Sequence, residues 1–101
     1  MTTITNQSVK TVWHAAQSIK DANLQEHQTI NIRIGDQTLL EVYKMIGDIH
    51  IDLKKHKKMS TMTAEEITFI EAESTFIEAT KLNKMSVDKI EQVVINLLLA
   101  Y

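Results

Sequence analysis

The stretch Leu39-Leu40-Glu41-Val42-Tyr43-Lys44-Met45-Ile46-Gly47-Asp48-Ile49-His50-Ile51-Asp52-Leu53 carries the choice between a helical and a sheet protein. Leu39, Leu40, Val42, Tyr43, Met45, Ile46 and Ile49 come mostly as apolar pairs with single polar residues between them. That spacing, close to three, suits an amphipathic helix beginning near Asp36, with Glu41, Lys44, Asp48, Asp52 and Lys55 on its opposite face. Two features point the other way. Gly47 in mid-helix costs roughly 1 kcal/mol relative to alanine, and Ile49-His50-Ile51-Asp52-Leu53 alternates as a strand does. The triplets Ile34–Asp36 and Ile46–Asp48 both read Ile-Gly-Asp, and Gly-Asp suits a type II′ hairpin turn. The rival is therefore a β-meander within 29–54, with Ile30, Ile32, Ile34, Leu40, Val42, Ile46, Ile49, Ile51 and Leu53 facing inward. The helix uses both Leu39 and Tyr43, which the meander leaves outside. On that ground we read 36–56 as helix.

The flanking segments favour helices as well. The string Thr-Phe-Ile-Glu-Ala occurs at Thr68–Ala72 and again at Thr75–Ala79, one heptad apart. At about 100° per residue, Phe69, Ala72, Phe76 and Ala79 make one stripe and Ile70 and Ile77 a second. Glu73 lies between them. Thr63-Ala64-Glu65-Glu66 has the form of a capping box, so a central helix is expected over 63–83. Asn6 or Ser8 caps a first helix over 6–22, whose buried face is Val9, Val12, Trp13, Ala16 and Ile19, with Trp13 as a core anchor. Ser86 caps a last helix over 86–100, with Ile90, Val93, Val94, Leu97, Leu98 and Tyr101 on one face. Between the first two helices, Ile30-Asn31-Ile32-Arg33-Ile34 alternates strictly and reads as a short strand. The expectation is a mainly α protein, a small bundle of three to four helices (6–22, 36–56, 63–83, 86–100) in one domain spanning 1–101.

Composition narrows the function classes. With 101 residues, 44% of them hydrophobic and 24% charged, the chain can form a single folded core. A net charge of −2, with Arg33 the one arginine, gives no global attraction to nucleic acid. Cysteine and proline are absent and there are two glycines, so neither thiolate chemistry nor a glycine-rich phosphate loop is available. The start, Met1-Thr2-Thr3-Ile4-Thr5-Asn6, lacks a signal peptide's basic and apolar regions, and Val93–Ala100 is too short to span a bilayer. These features lead us to expect a cytoplasmic protein.

Glu73 is the one ionisable residue set among large apolar ones, which would raise its pKa toward acid–base work. It stands without a nucleophile or a second converging carboxylate, and we assign it a structural place in the groove between packed neighbours. His50, Asp52 and His56 have no metal-binding helical spacing, and no cofactor or metal is expected. The cations Lys54, Lys55, Lys57 and Lys58 complement a helix C-terminus or supply an electrostatic contact. Apolar surface in excess on the last helix, at Ile95, Leu98, Leu99 and Tyr101, marks the partner or dimer interface.

Two stretches resemble known families. Ile30-Asn31-Ile32-Arg33-Ile34 followed by a helix resembles the opening of ribbon-helix-helix DNA binders, which implies base contacts from Asn31 and Arg33. The chain departs from that pattern where Ile49–Lys58 stands before the second helix. Val42-Tyr43-Lys44-Met45-Ile46 and Met62-Thr63-Ala64-Glu65-Glu66 resemble parts of the third and fourth helices of small bacteriocin immunity proteins, which implies a four-helix bundle and a partner-neutralising role. Here one helix rather than two precedes the match, and an apolar helix replaces a polar tail. The reading that results is a non-enzymatic helical protein that binds and modulates another protein, as inhibitor, immunity factor, antitoxin or anti-activator, and pairs as a homodimer. The alternative is a ribbon-helix-helix-like regulator using the strand 29–34.

Overall fold

The computed structural model describes residues 4–35, 38–58 and 67–100. It overturns the helical bundle. Five strands form one mixed sheet: β1 (Ile4–Val9), β2 (Thr29–Ile34), β3 (Thr38–Met45), β4 (Asp48–Lys58) and β5 (Ile67–Glu78), in the order β1-β2-β3-β4-β5. The helices are α1 (Val12–Asp21), α2 (Ala79–Lys84) and α3 (Val87–Leu99). β1 and β2 run parallel, and α1 supplies the crossover that a parallel pair needs. The remaining neighbours are antiparallel.

The meander rejected on the strength of Leu39 and Tyr43 is the arrangement that forms. Cross-strand register aligns Ile30 with Val42 and Ile51, and Ile32 with Leu40 and Leu53. These residues and Ile49 are buried. Against them pack Ala15, Ala16 and Ile19 of α1 and Ile90, Val94 and Leu97 of α3, which makes a two-layer core. Each large aliphatic side chain placed there contributes about 1.5–3 kcal/mol. The two alanines let α1 and α3 approach closely. Lys20 Nζ donates to the Met85 carbonyl and ties α1 to the residue where α2 ends.

The helix pattern in 39–46 arises because β3 carries apolar residues on both faces. Leu40 and Val42 point into the core, while Leu39 and Tyr43 are half-buried on the other side. The β3–β4 turn is Ile46-Gly47, with φ of +53° and +76°, the sign a type I′ hairpin needs at both central residues. Glu26 caps that turn. Its carboxylate accepts from the Ile46 N–H and, at 3.4 Å, from the Gly47 N–H. Ile46 was the one member of the inward set to end far outside it, at 86% exposure.

The doubled motif is strand rather than central helix. A bulge between Leu53 and Lys54 leaves Ala72 without a register partner, so Phe76 stands opposite His50 and Phe69 opposite His56. A step of seven on β5 thus matches a step of six on β4. On an unbroken strand an odd step would reverse the face; the bulge absorbs the extra residue. The capping box at Thr63–Glu66 lies outside the described residues.

The first and last helices are partly as expected. α1 starts later than foreseen, because Ile4–Val9 pairs with β2 and the cap is Thr11, whose hydroxyl accepts from the His14 N–H at 3.2 Å. Trp13 is 41% exposed and is not a core anchor; Ala15 takes the inward place beside Ala16 and Ile19. α3 begins as foreseen at the Ser86 cap, whose hydroxyl accepts from the Lys89 N–H at 3.3 Å.

Candidate functional site

α1 and α3 cover one face of the sheet. Among the described residues nothing covers the other. Cross-strand register places Tyr43, His50 and Phe76 side by side on β3, β4 and β5 of that open face. The Tyr43 and His50 rings stack with centroids 5.0 Å apart at 7°, and Phe76 follows at 5.8 Å from His50. Phe76, assigned to a buried seam in the helical reading, is 62% exposed. The next row reads Asn6, Asn31, Glu41, Asp52 and Ser74. Asn31 Nδ2 donates to Asn6 Oδ1 at 3.2 Å.

Beside this face lies the outer edge of β5. Among the described strands β5 pairs only with β4, so its other side presents backbone N–H and C=O groups without strand partners. α3 runs along it. Glu73, Ser74 and Thr75 form one wall of a groove of about 350 Å3, and Val93, Asn96, Leu97 and Ala100 form the other. Glu73 lines this groove from a strand, not from the central helix expected between packed neighbours.

The expected site residues are scattered by the sheet. Lys54 is ion-paired with Glu41 at 2.7 Å, and Lys55 Nζ donates to the Thr38 hydroxyl at 3.3 Å. Both stand on a strand, not at a helix end. Lys57 and Lys58 occupy β4 opposite Thr68 and Ile67. Asn31 and Arg33 lie on β2, flanked on both sides by β1 and β3. That position differs from the two-chain ribbon of the DNA binders, where the strand must pair with a second copy. Val42–Ile46, read as part of an immunity-protein helix, lies in β3 and its turn, and Met62–Glu66 lies outside the described residues.

On α3, Leu98 packs partly against the core, Ile95 is half-buried and Leu99 is 78% exposed; Tyr101 lies outside the described residues. Among the described residues no group of three or more His, Asp or Glu is placed to hold a metal ion. Among them, too, no helix is long and apolar enough to cross a membrane.

The sequence reading missed the β5–α3 groove because its two walls were assigned to helices. Its signal was the run Ser74-Thr75-Phe76-Ile77, rich in β-formers. No family model matches the chain, and neither a curated protein nor a solved structure gives a significant match.

Proposed function

We propose that this is a non-enzymatic protein-binding module that captures an extended segment of another polypeptide, which adds as a strand beside β5. The observation that carries the reading is the edge of β5, unpaired among the described strands, which forms a groove with α3. An exposed strand edge is a template for another chain: main-chain hydrogen bonds supply affinity and alternate side chains supply selectivity. Here Ser74 and Thr75 provide the edge, while Val93, Leu97 and Ala100 receive an apolar side chain from the incoming strand. Phe76 on the adjoining open face extends the contact. Binding of this kind is what an inhibitor, immunity factor or anti-activator requires, so the functional class expected from the sequence now rests on a sheet edge.

The test is selection from a random displayed peptide library on the folded chain, followed by hydrogen exchange. Enriched peptides should slow exchange at Ser74–Ile77 and lose binding to Asn96→Trp, which fills the groove from an exposed position. They should still bind Lys10→Trp, an exposed change at the opposite edge. Enrichment no better than on denatured chain, or enrichment indifferent to Asn96→Trp, would remove this reading.

A further inference from the structure

We infer that the segment this groove selects is basic: an extended strand carrying Lys or Arg on both of its faces beside an apolar side chain. The inference rests on the strand-capture reading and adds the chemistry of the partner.

Its ground is a division of charge along the β4–β5 pair. Lys54, Lys55, Lys57 and Lys58 stand opposite Glu71, Ile70, Thr68 and Ile67, so every lysine of β4 is matched to the first part of β5. Beyond the bulge the character changes. Asp48–Leu53 and Glu73–Glu78 pair with each other and carry Asp48, Asp52, Glu73 and Glu78 without a single Lys or Arg. Asp52 is buried and engaged within the protein. Glu73 lines the groove, Glu78 is exposed, and Asp48 lies directly opposite Glu78. Among the described residues no ion pair neutralises these three.

Asp48 and Glu78 face each other across the pair and repel, whereas Glu73 stands opposite Leu53 on the groove side; a strand bringing cations to this edge relieves the repulsion and meets Glu73. A second copy fits poorly, since β5 carries Glu71, Glu73 and Glu78 and no basic residue of its own. The apolar share of recognition falls to Val93, Leu97 and Ala100. Charge here selects the partner and speeds the encounter more than it deepens affinity.

Three tagged peptides test this. They share one β-prone apolar pattern and carry Lys, Gln or Glu at the polar positions of both faces. Each is titrated by fluorescence anisotropy against the full chain at about 50 mM and about 300 mM salt, which differ in Debye length. The Lys peptide should bind at least about tenfold more tightly than the Gln peptide at low salt, with the Glu peptide weakest and the margin shrinking at high salt. Glu73→Lys should narrow the margin between the Lys and Gln peptides. Glu78→Lys, at an exposed position, should at least halve the margin and serves should Glu73→Lys fold poorly. Equal binding of Lys and Gln peptides, both lost in Asn96→Trp, would overturn the basic partner and leave strand capture standing. Lys-peptide binding untouched by Asn96→Trp would overturn both. A concentration-dependent dimer abolished by Asn96→Trp would make the occupant a second copy and overturn the inference.

Discussion

The two edges of the sheet are built alike and differ in chemistry. At one edge β1 runs beside α1, at the other β5 runs beside α3, and each strand–helix pair encloses a groove of about 350 Å3. The β1 groove is lined by Ser8, Val9, Lys10, His14, Gln17 and Ser18, so Val9 is its only apolar side chain. The strand is six residues long and shows Asn6, Gln7 and Ser8. That is how proteins blunt an edge: a short strand, polar side chains and a lysine close by. β5 has twelve residues, an apolar opposite wall at Val93, Leu97 and Ala100, and an exposed Phe76. Equal room does not make equal sites. On the reading proposed above, the longer strand and the exposed Phe76 direct another chain to β5.

The sharpest way to break this comparison is through the centre that both edges share. Ile51 is fully buried on β4, aligned with Val42, in the core that α1 and α3 cover. Ile51→Ala should cost about 3 kcal/mol in denaturant unfolding. Amide protection should then fall at β1 and β5 together; loss at one edge alone would mean that the two fold as separate units.

A smaller change separates the edges. Asn96→Trp should weaken strand capture at β5 at least tenfold, about 1.4 kcal/mol, while Lys10→Trp at β1 should leave binding within twofold by anisotropy. Equal losses would erase the distinction drawn between the grooves.

The turn near the β5 side offers a third comparison. Ile46 holds a φ of +53°, a conformation that costs a β-branched residue about 1–2 kcal/mol, and its exposed side chain recovers little by packing. Ile46→Asn should therefore stabilise the protein by about 1 kcal/mol, seen as a higher denaturation midpoint with an unchanged slope. A drop in stability would mean that the isoleucine packs more than its exposure indicates.

The smallest effect concerns the charge division itself. Lys54 and Glu41 form an ion pair with side chains 27% and 31% exposed, so solvent screens much of it. Lys54→Met should cost about 0.5 kcal/mol, and should modestly tighten the Lys-bearing peptide at low salt by leaving the β5 side more acidic. Weaker binding of that peptide would contradict the charge argument.

Much of this architecture was visible in the chain, though not in the reading that prevailed. Ser86 and the Ile90, Val94, Leu97 face of α3 follow from capping chemistry and helical periodicity, which act within a few residues. Strand alternation also marks the inward set of the meander, apart from Ile46 and the half-buried Ile34. What could not be read locally was the state of 38–58 and 67–78. Apolar residues on both faces of β3 imitate a helical stripe, and a bulge lets a heptad repeat lie on a strand. Both ambiguities are resolved by pairing partners: β3 and β5 each gain their hydrogen bonds from β4, and β3 also from β2. The groove between β5 and α3 belongs to the tertiary structure for the same reason. Neither wall has a binding signature of its own, and the groove exists only because the chain turns back after Glu78 and brings α3 near the strand it has just left.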